Sequence, residues 1–171
     1  MRLETERLII TDFTPDMAQA VHENSLDEDT RRFVPDEVFE TVEDALETIG
    51  FLMSQYGKTD GPLVHPVLMK DGGVNIGYVQ IVPVGEGLWE IGYHVAKKYT
   101  GNGFATEAVK AFLPVMAGVV GTSEVYGICM SSNIASKCVL RKCCFDTVFE
   151  GIGEYQGEQC EIYKSLWKLP E

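Results

Sequence analysis

The feature that most constrains the fold is the stretch from Trp89 to Val109, where a strand pattern, a glycine loop and a helix pattern follow one another. In its first part, apolar residues alternate with polar or small ones, the period of a strand with one buried face. The loop from Thr100 to Gly103 has two glycines, which permit positive φ and close approach of a ligand to the backbone. A helical pattern begins at Phe104. Because the first amides of a helix lack partners and lie at the positive end of its dipole, the stretch predicts a phosphate-binding site.

The size of the chain indicates a single domain. It has 171 residues and a mass of 19.0 kDa, which suits one core spanning residues 1–171. No apolar run approaches roughly 18 residues, and the charged first residues do not resemble a signal peptide, so we expect a cytoplasmic protein that does not span a membrane. Five cysteines, an odd number without metal-ligand spacing, predict reduced thiols, most of them buried, and no metal site.

The formal net charge is −12 and the sequence pI is about 4.6. Because phosphate contacts supply most of the non-specific affinity for DNA or RNA, this charge argues against nucleic-acid binding. It mildly favours a cationic partner, although ordinary solubilising charge explains it more simply. Much of the acid lies between Asp27 and Glu47, whereas Lys97 and Lys98 precede the glycine loop. The phosphate site is therefore expected to be locally basic.

Hydrophobic periodicity and turn residues predict the remaining elements. One helix is expected to start at Thr14-Pro15 and another at a capping box formed by Thr41 and Asp44. Pro114 is expected to kink or end the helix that begins at Phe104. The acidic segment 26–35 is predicted to be irregular. The predicted strands are 7–11, 63–70, 74–82, 89–95, 125–130, 145–150 and 161–169, and the last predicted helix is 134–143.

The order of these elements predicts a mixed sheet. Glycine turns at 71–73 and 85–87 join three strands into an antiparallel meander. A strand–helix–strand unit follows, and a helical crossover returns the chain in the same direction, so the strands at 89–95 and 125–130 are predicted to be parallel neighbours. The last two strands are predicted to form an antiparallel pair. The expected fold class is α/β (α+β) with a mostly antiparallel sheet.

The glycine loop resembles the acyl-coenzyme A signature of the GNAT superfamily of N-acetyltransferases, Gln/Arg-x-x-Gly-x-Gly/Ala. Thr100 stands where the signature has Gln or Arg. The resemblance implies a GNAT fold, whose central parallel pair splays apart, with helices on both faces of the sheet and acetyl-CoA as cofactor. The surrounding sequence is similar to the branch that acetylates ribosomal-protein N-termini. The residues that this resemblance implies for cofactor binding are Tyr93, His94, Val95, Thr100, Gly101, Asn102, Gly103, Phe104, Ala105, Thr106, Asn133 and Ser136.

Residues 133–145 resemble a second motif of the family, Asn-x-x-Ser-x-x-Val-Leu-x-Lys-x-Gly-Phe. Asn133 is expected to cap the helix whether or not it also contacts coenzyme A. In related acetyltransferases the serine at the position of Ser136 lies near the thioester sulfur and can protonate the leaving thiolate. Leu140 occupies a position where many members have tyrosine, which excludes a tyrosine acid there. Cys144 replaces the usual glycine and leaves the geometry of that helix end open.

Attack of an amine on a thioester requires a group that accepts the amine proton, and a carboxylate can do so directly or through water. Glu90 is the first candidate, because it lies on the strand leading to the glycine loop with parity opposite to that of Ile91. Glu154 is the second, since related N-terminal acetyltransferases carry a glutamate in the loop after the strand near Phe145. His65 and His94 are alternatives.

The predicted function is transfer of an acetyl group from acetyl-CoA to a primary amine, a protein or peptide N-terminus, by direct attack of the amine on the thioester. A small amine such as a polyamine or aminoglycoside is a possible acceptor on the same chemistry. A non-catalytic acyl-CoA-binding sensor or assembly subunit is a second class, and a phosphate-binding α/β protein unrelated to acyl transfer is a third. A monomer and a homodimer are both compatible with the sequence.

Overall fold

The computed structural model describes residues 1–170, which form one eight-stranded sheet with five α-helices. The strand order is β1-β2-β3-β4-β5-β6-β8-β7. The strands are β1 (Arg2–Glu4), β2 (Leu8–Thr11), β3 (Leu63–Met69), β4 (Asn75–Gly85), β5 (Leu88–Val95), β6 (Glu124–Met130), β7 (Asp146–Tyr155) and β8 (Glu158–Lys168). The helices are α1 (Ala18–Ser25), α2 (Glu28–Phe33), α3 (Val42–Met53), α4 (Phe104–Val120) and α5 (Ile134–Lys142).

Strands β1 to β5 are antiparallel neighbours, and β6, β8 and β7 form a second antiparallel group. The two groups join at β5 and β6, which are parallel and pair at a single position, Glu90 with Tyr126. Because each strand continues for several residues beyond this pairing, the sheet opens between them. The predicted fold class is confirmed, as is the central parallel pair.

Helices cover both faces of the sheet. On one face α4 packs against strand residues such as Ile81 and Ile91, and this packing forms the larger core. On the other face α1 and α3 pack around Val64 in a smaller core. Successive strand side chains point to opposite faces, so Glu90 and Ile91 contribute to different sides. Among residues 1–170, no helix has the length and apolar character needed to cross a membrane.

Helix α2 corrects the prediction that segment 26–35 is irregular. Asp27 caps it, since Asp27 Oδ1 accepts a hydrogen bond from the Thr30 amide at 3.0 Å. Six residues are too few to show a helical period in the sequence, although the cap itself was readable. The capping box of α3 is confirmed, because Thr41 and Asp44 each accept a hydrogen bond from the other's amide at 3.1 Å. Thr14 precedes its helical turn without a side-chain cap bond.

Helix α4 does not end at Pro114 but continues to Val120, where Gly121 in a left-handed conformation (φ 71°) terminates it. Pro114 is expected to kink or end this helix; the prediction that it ends the helix is wrong, and the kink stays a prediction. Proline costs about 3 kcal/mol in a helix interior, and burial of one large apolar side chain contributes about 1.5–3 kcal/mol. Leu113 and Ala117, beside the proline, are both buried in the larger core, so packing outweighs the local cost.

The C-terminal hairpin and the cysteines also depart from the predictions. Strand β7 continues to Tyr155, so Glu154 lies within a strand and not in a loop. Only Cys129 and Cys143 are buried, so the expectation that most cysteines are buried is wrong. Cys144 adopts a positive φ of 63°, the conformation that the family's glycine would take more easily. Strand β1 was not predicted, because three residues carry too little pattern.

Candidate active site

A cleft of about 550 Å³ passes through the opening between β5 and β6. One end lies at the glycine loop and the start of α4, and the other lies between α2 and the end of β7. The sequence-predicted site residues line it except Asn102 and the alternative candidate His65. The fold therefore brings together residues from five separate elements. The sequence predicted the order of these elements along the chain but not their proximity. Glu37 and Tyr155 also line the cleft and were not predicted.

The glycine loop has the geometry of an anion-binding site. Gly101 and Gly103 have φ values of 81° and 80°, which residues other than glycine rarely adopt. The first bond of the α4 ladder runs from the Glu107 amide to the Gly103 carbonyl at 3.0 Å, so the amides of Phe104 to Thr106 precede it. These amides lie at the positive end of the helix dipole, and they fit a pyrophosphate.

Arg7 fastens the loop to the first strands. Its Nε donates to Glu107 Oε2 at 2.7 Å and its Nη1 donates to the Asn102 carbonyl at 3.0 Å. The guanidinium carbon lies 4.4 Å from the centre of the Phe104 ring. Asn102 in turn donates through Nδ2 to two carbonyls of the same loop, those of Tyr99 and Thr100, both at 3.1 Å. Asn102 thus braces the loop from within, and Arg7 is a contributor that no local sequence pattern reveals.

The cations near the loop are arranged differently from the expected lysine pair. Lys97 lines the cleft but forms an ion pair with Asp29. The ammonium of Lys98 lies 5.1 Å from the centre of the Tyr99 ring, and Lys98 does not line the cleft. Lys142, near the end of α5, does line it. Because Asp29 neutralises Lys97, positive potential at this end comes from the backbone amides and Lys142.

Ser136 lies at the centre of the cleft in the first turn of α5. Asn133 caps this helix as predicted, since its Oδ1 accepts from the Ser136 amide at 3.1 Å. The Tyr93 hydroxyl lies 3.0 Å from the Ser136 carbonyl and 2.8 Å from Ser136 Oγ. Because a carbonyl can only accept, the Tyr93 hydroxyl donates to it and Ser136 Oγ donates to Tyr93. Burial raises the pKa of Tyr93 far above its usual range, so this phenol stays protonated.

Glu90 lies on the opposite face of β5 from Tyr93, beside the single β5–β6 pairing. Burial raises the pKa of the Glu90 carboxyl to about 7, and Lys164 opposes the rise only in part. A carboxyl group with this pKa can exchange a proton near neutral pH. Glu154, the second candidate, is exposed on β7 at the same end of the cleft.

The histidine candidates differ in position. His94 lines the cleft, and its Nε2 lies 2.8 Å from Thr30 Oγ1. Thr30 Oγ1 donates its own hydrogen to Asp27 Oδ2, so His94 Nε2 is the donor to Thr30 Oγ1. Burial lowers the pKa of the His94 ring. His65 does not line the cleft. It is 3% exposed, donates through Nδ1 to the Thr11 carbonyl at 2.9 Å and stacks on Tyr56, which makes it a core residue.

The end of the cleft between α2 and β7, which we call the acceptor end, has two walls that are in contact. Tyr155, at the end of β7, donates from its hydroxyl to the Phe33 carbonyl at the end of α2 at 3.1 Å. This bond connects the β7–β8 hairpin to the α2 segment across the cleft. Glu37, from the 3₁₀ turn after α2, lies on the same side as Phe33. In residues 1–170 no group of side chains suited to a metal ion occurs.

The cleft, with its helix-start amides and through-sheet opening, defines a class: acyl-coenzyme A-dependent transferases. The sequence profile of the GNAT acetyltransferase domain matches residues 7–146, and the chain belongs to this family. It is 30% identical over 143 residues to the uncharacterized N-acetyltransferase YnaD of Bacillus subtilis (strain 168), covering 83% of this chain and 81% of YnaD. The predicted family, enzyme class and acetyl-CoA cofactor are confirmed, and a phosphate-binding protein unrelated to acyl transfer is excluded.

Two solved structures extend the fold comparison. A GNAT-family acetyltransferase from Bacillus anthracis superposes with a TM-score of 0.83 at 23% identity, covering 98% of both chains. The ribosomal-protein-S5-alanine acetyltransferase from Vibrio fischeri superposes with a TM-score of 0.83 at 16% identity, covering 98% of this chain and 96% of its own. At these identities the structures share the fold with this chain.

Proposed function

We propose that this protein transfers the acetyl group of acetyl-CoA to the amino group of a protein or peptide N-terminus, with Glu90 as the base. The observation that carries the proposal is the through-sheet cleft, which leads from the glycine loop past Ser136 to the half-buried carboxyl group of Glu90, with a pKa of about 7. Carboxylates of this kind are suited to accepting a proton from an amine near neutral pH.

The residues that would hold acetyl-CoA are distributed along this cleft. The amides at the start of α4 would hold the pyrophosphate, and the unpaired edges of β5 and β6 would bind the pantetheine arm as a strand is bound in a sheet. Acetyl-CoA supplies a thioester whose carbonyl carbon an amine can attack. Tyr93, His94 and Val95 contribute to the β5 edge, and Asn133 and Ser136 to the opposite wall.

Two proton positions complete the proposal. Glu90 accepts the amine proton at its carboxylate. Ser136 Oγ would turn its hydrogen from the Tyr93 oxygen to the departing sulfur, give up that proton and take one back from water, while Glu90 releases the amine proton to water, so that no net proton is lost. Tyr93 is then a positioning residue whose own proton remains on its oxygen at neutral pH, because burial raises its pKa.

The shape of the acceptor end favours a slender acceptor over a bulky one. The bond from Tyr155 to the Phe33 carbonyl spans the cleft, so a group entering beneath it must be narrow. The free end of a peptide or an unbranched amine meets this condition better than a rigid, branched aminoglycoside. The similarity in fold to a ribosomal-protein-S5-alanine acetyltransferase supports the peptide as acceptor.

A mass-spectrometric screen of acetylation tests the proposal. Peptides with free N-termini, linear polyamines and aminoglycosides would be incubated with acetyl-CoA and the protein, and acetylated peptides are expected as the main products. N-terminally blocked copies of the same peptides are the matched control and should remain unmodified. Main products from aminoglycosides would contradict the peptide assignment. Tight coenzyme A binding without acetylation of any amine would support the alternative of a non-catalytic acyl-CoA-binding protein.

A further inference from the structure

Glu37 is a half-buried acidic residue that the proposed chemistry does not use. It ends the 3₁₀ turn Pro35–Glu37, and its Oε1 accepts one long hydrogen bond from Gln80 Nε2 at 3.4 Å. Its Oε2 is shielded from solvent and has no hydrogen-bond partner among residues 1–170. Burial raises the pKa of Glu37 to about 7, Asp36 adds to the rise, and no cation opposes it. A buried carboxyl group without a partner is costly unless a ligand completes it.

The sheet fixes where Glu37 lies relative to Glu90. Gln80, its hydrogen-bond partner, pairs with Gly92, and a side chain at Gly92 would collide with Gln80, since an added Cβ would lie 2.4 Å from Nε2. The Gln80 side chain therefore lies over Gly92. Glu90 is two residues away on the same strand and on the same face. Two residues of a strand span about 7 Å, so Glu37 contacts the sheet roughly one side-chain repeat beyond the proposed base.

The charges around this end of the cleft are mostly negative. Asp27, Asp29 and Glu154 line it together with the two buried carboxyl groups. Lys97, the nearby cation in the lining, already pairs with Asp29. A cationic group that enters here gains attraction from several carboxylates without displacing an existing partner of Glu37.

We propose that Glu37 binds a second cationic group of the acceptor, about 7 Å from the amine that reacts at Glu90. The acceptor class is therefore dicationic, and the peptide form of it is an N-terminus followed closely by a lysine or arginine. This inference rests on the proposed function, because it assigns one carboxyl group to proton removal and the other to recognition. Linear diamines share the chemistry and serve as a second probe.

The test compares acceptors that differ only in the second charge. Peptides with lysine or glutamine as their second residue form one pair, and 1,5-diaminopentane and pentylamine form another. We expect the parent protein to favour the dicationic member at least tenfold in kcat/KM. Glu37→Gln should remove this preference by raising KM for the lysine peptide. Asp36→Asn, which removes a neighbouring exposed charge outside the cleft, should keep the preference.

Calorimetric binding of the same peptides to the coenzyme A-loaded protein gives a readout independent of turnover. Suppose that the parent binds the lysine peptide more tightly than the glutamine peptide, that Glu37→Gln loses this preference, and that the parent acetylates neither peptide. This result would support the inference and refute the proposed function. Equal parent affinities for both peptides, or a preference retained in Glu37→Gln, would overturn the inference. If Glu37→Gln changed only the stability of the fold, the inference would also be overturned. A cavity of about 20 Å³ lies next to Glu37, and Asn75 Nδ2 in its lining also lacks a partner among residues 1–170. This cavity, and not a ligand, would then explain the unpartnered oxygen of Glu37.

Discussion

Replacing Glu90 by glutamine separates proton removal from every other role of this side chain. The amide has the shape and reach of the carboxylate but cannot take up a proton at neutral pH. General-base catalysis contributes about 10² to 10⁴-fold, which corresponds to about 2.7 to 5.4 kcal/mol of transition-state stabilisation. We expect kcat to fall by about 10² or more in Glu90→Gln, with coenzyme A affinity unchanged because the glycine loop lies on the other side of the opening.

The pH dependence provides the sharper measurement. A peptide α-amino group has a pKa of about 8, and Glu90 has a pKa of about 7 in the folded protein. Both must lose a proton before attack, so log kcat/KM of the parent should rise with a slope near 2 well below pH 7 and near 1 between the two pKa values. Thiol release followed from pH 5.5 to 9 measures this. In Glu90→Gln only the amine titrates, so the slope should be near 1 below about pH 8 and should level off above it.

Glu154→Gln is the matched control, since it removes a carboxylate from the same end of the cleft without removing Glu90, the proposed base. It should keep both the parent kcat, within a few-fold, and the steep limb. A slope near 2 that persists in Glu90→Gln would refute Glu90 as the base. If Glu154→Gln then lost the steep limb, the role would belong to Glu154, and if neither variant lost it, a water molecule would accept the proton.

Three further predictions concern the cofactor site and stability. Gly103→Val should weaken coenzyme A binding more than tenfold, because Gly103 has φ 80°, whereas Gly87→Val, at φ 70° outside the cleft, should strain the backbone without this loss. Cys144→Gly should stabilise the fold by about 1 kcal/mol, a melting shift of about 2–4 °C, and Cys144→Ala should not. Because the pKa values of Glu37 and Glu90 are raised, the folded state keeps protons that the unfolded state releases between about pH 4.5 and 7. The free energy of unfolding should therefore fall across this window by about 3 kcal/mol for each group. In either glutamine variant the melting temperature should depend less on pH.

The parts of the fold that the sequence predicted are those determined by local chemistry. The alternation before the glycine loop, the capping box at Thr41 and the Asn133 cap each place a residue type where nearby backbone groups require it. The glycine loop was predicted for the same reason, since positive φ selects glycine. These signals are contained within a few consecutive residues, so they survive without tertiary information.

The features that escaped prediction depend on distant partners. Helix α4 passes through Pro114 because the face it buries lies on the sheet, and Arg7 reaches the loop across about a hundred residues of sequence. Glu37 follows a proline and an aspartate, which reads as a solvated turn, and only the approach of Gln80 shows it to be buried. These contacts cannot be predicted from sequence spacing alone.

The opening between β5 and β6 also explains how an acidic protein can bind a polyanionic cofactor. The glycine loop lies on the α4 side of the sheet, where helix-start amides and Lys142 provide positive potential. Glu37 and Glu90 lie at the other end, toward α2 and β7. Since solvent-exposed charges are screened beyond about 8 Å at physiological salt, the net charge of −12 has little influence on the loop. The same separation would leave the carboxyl groups free to attract a cationic acceptor, because phosphates bound at the glycine loop would lie beyond the sheet from them.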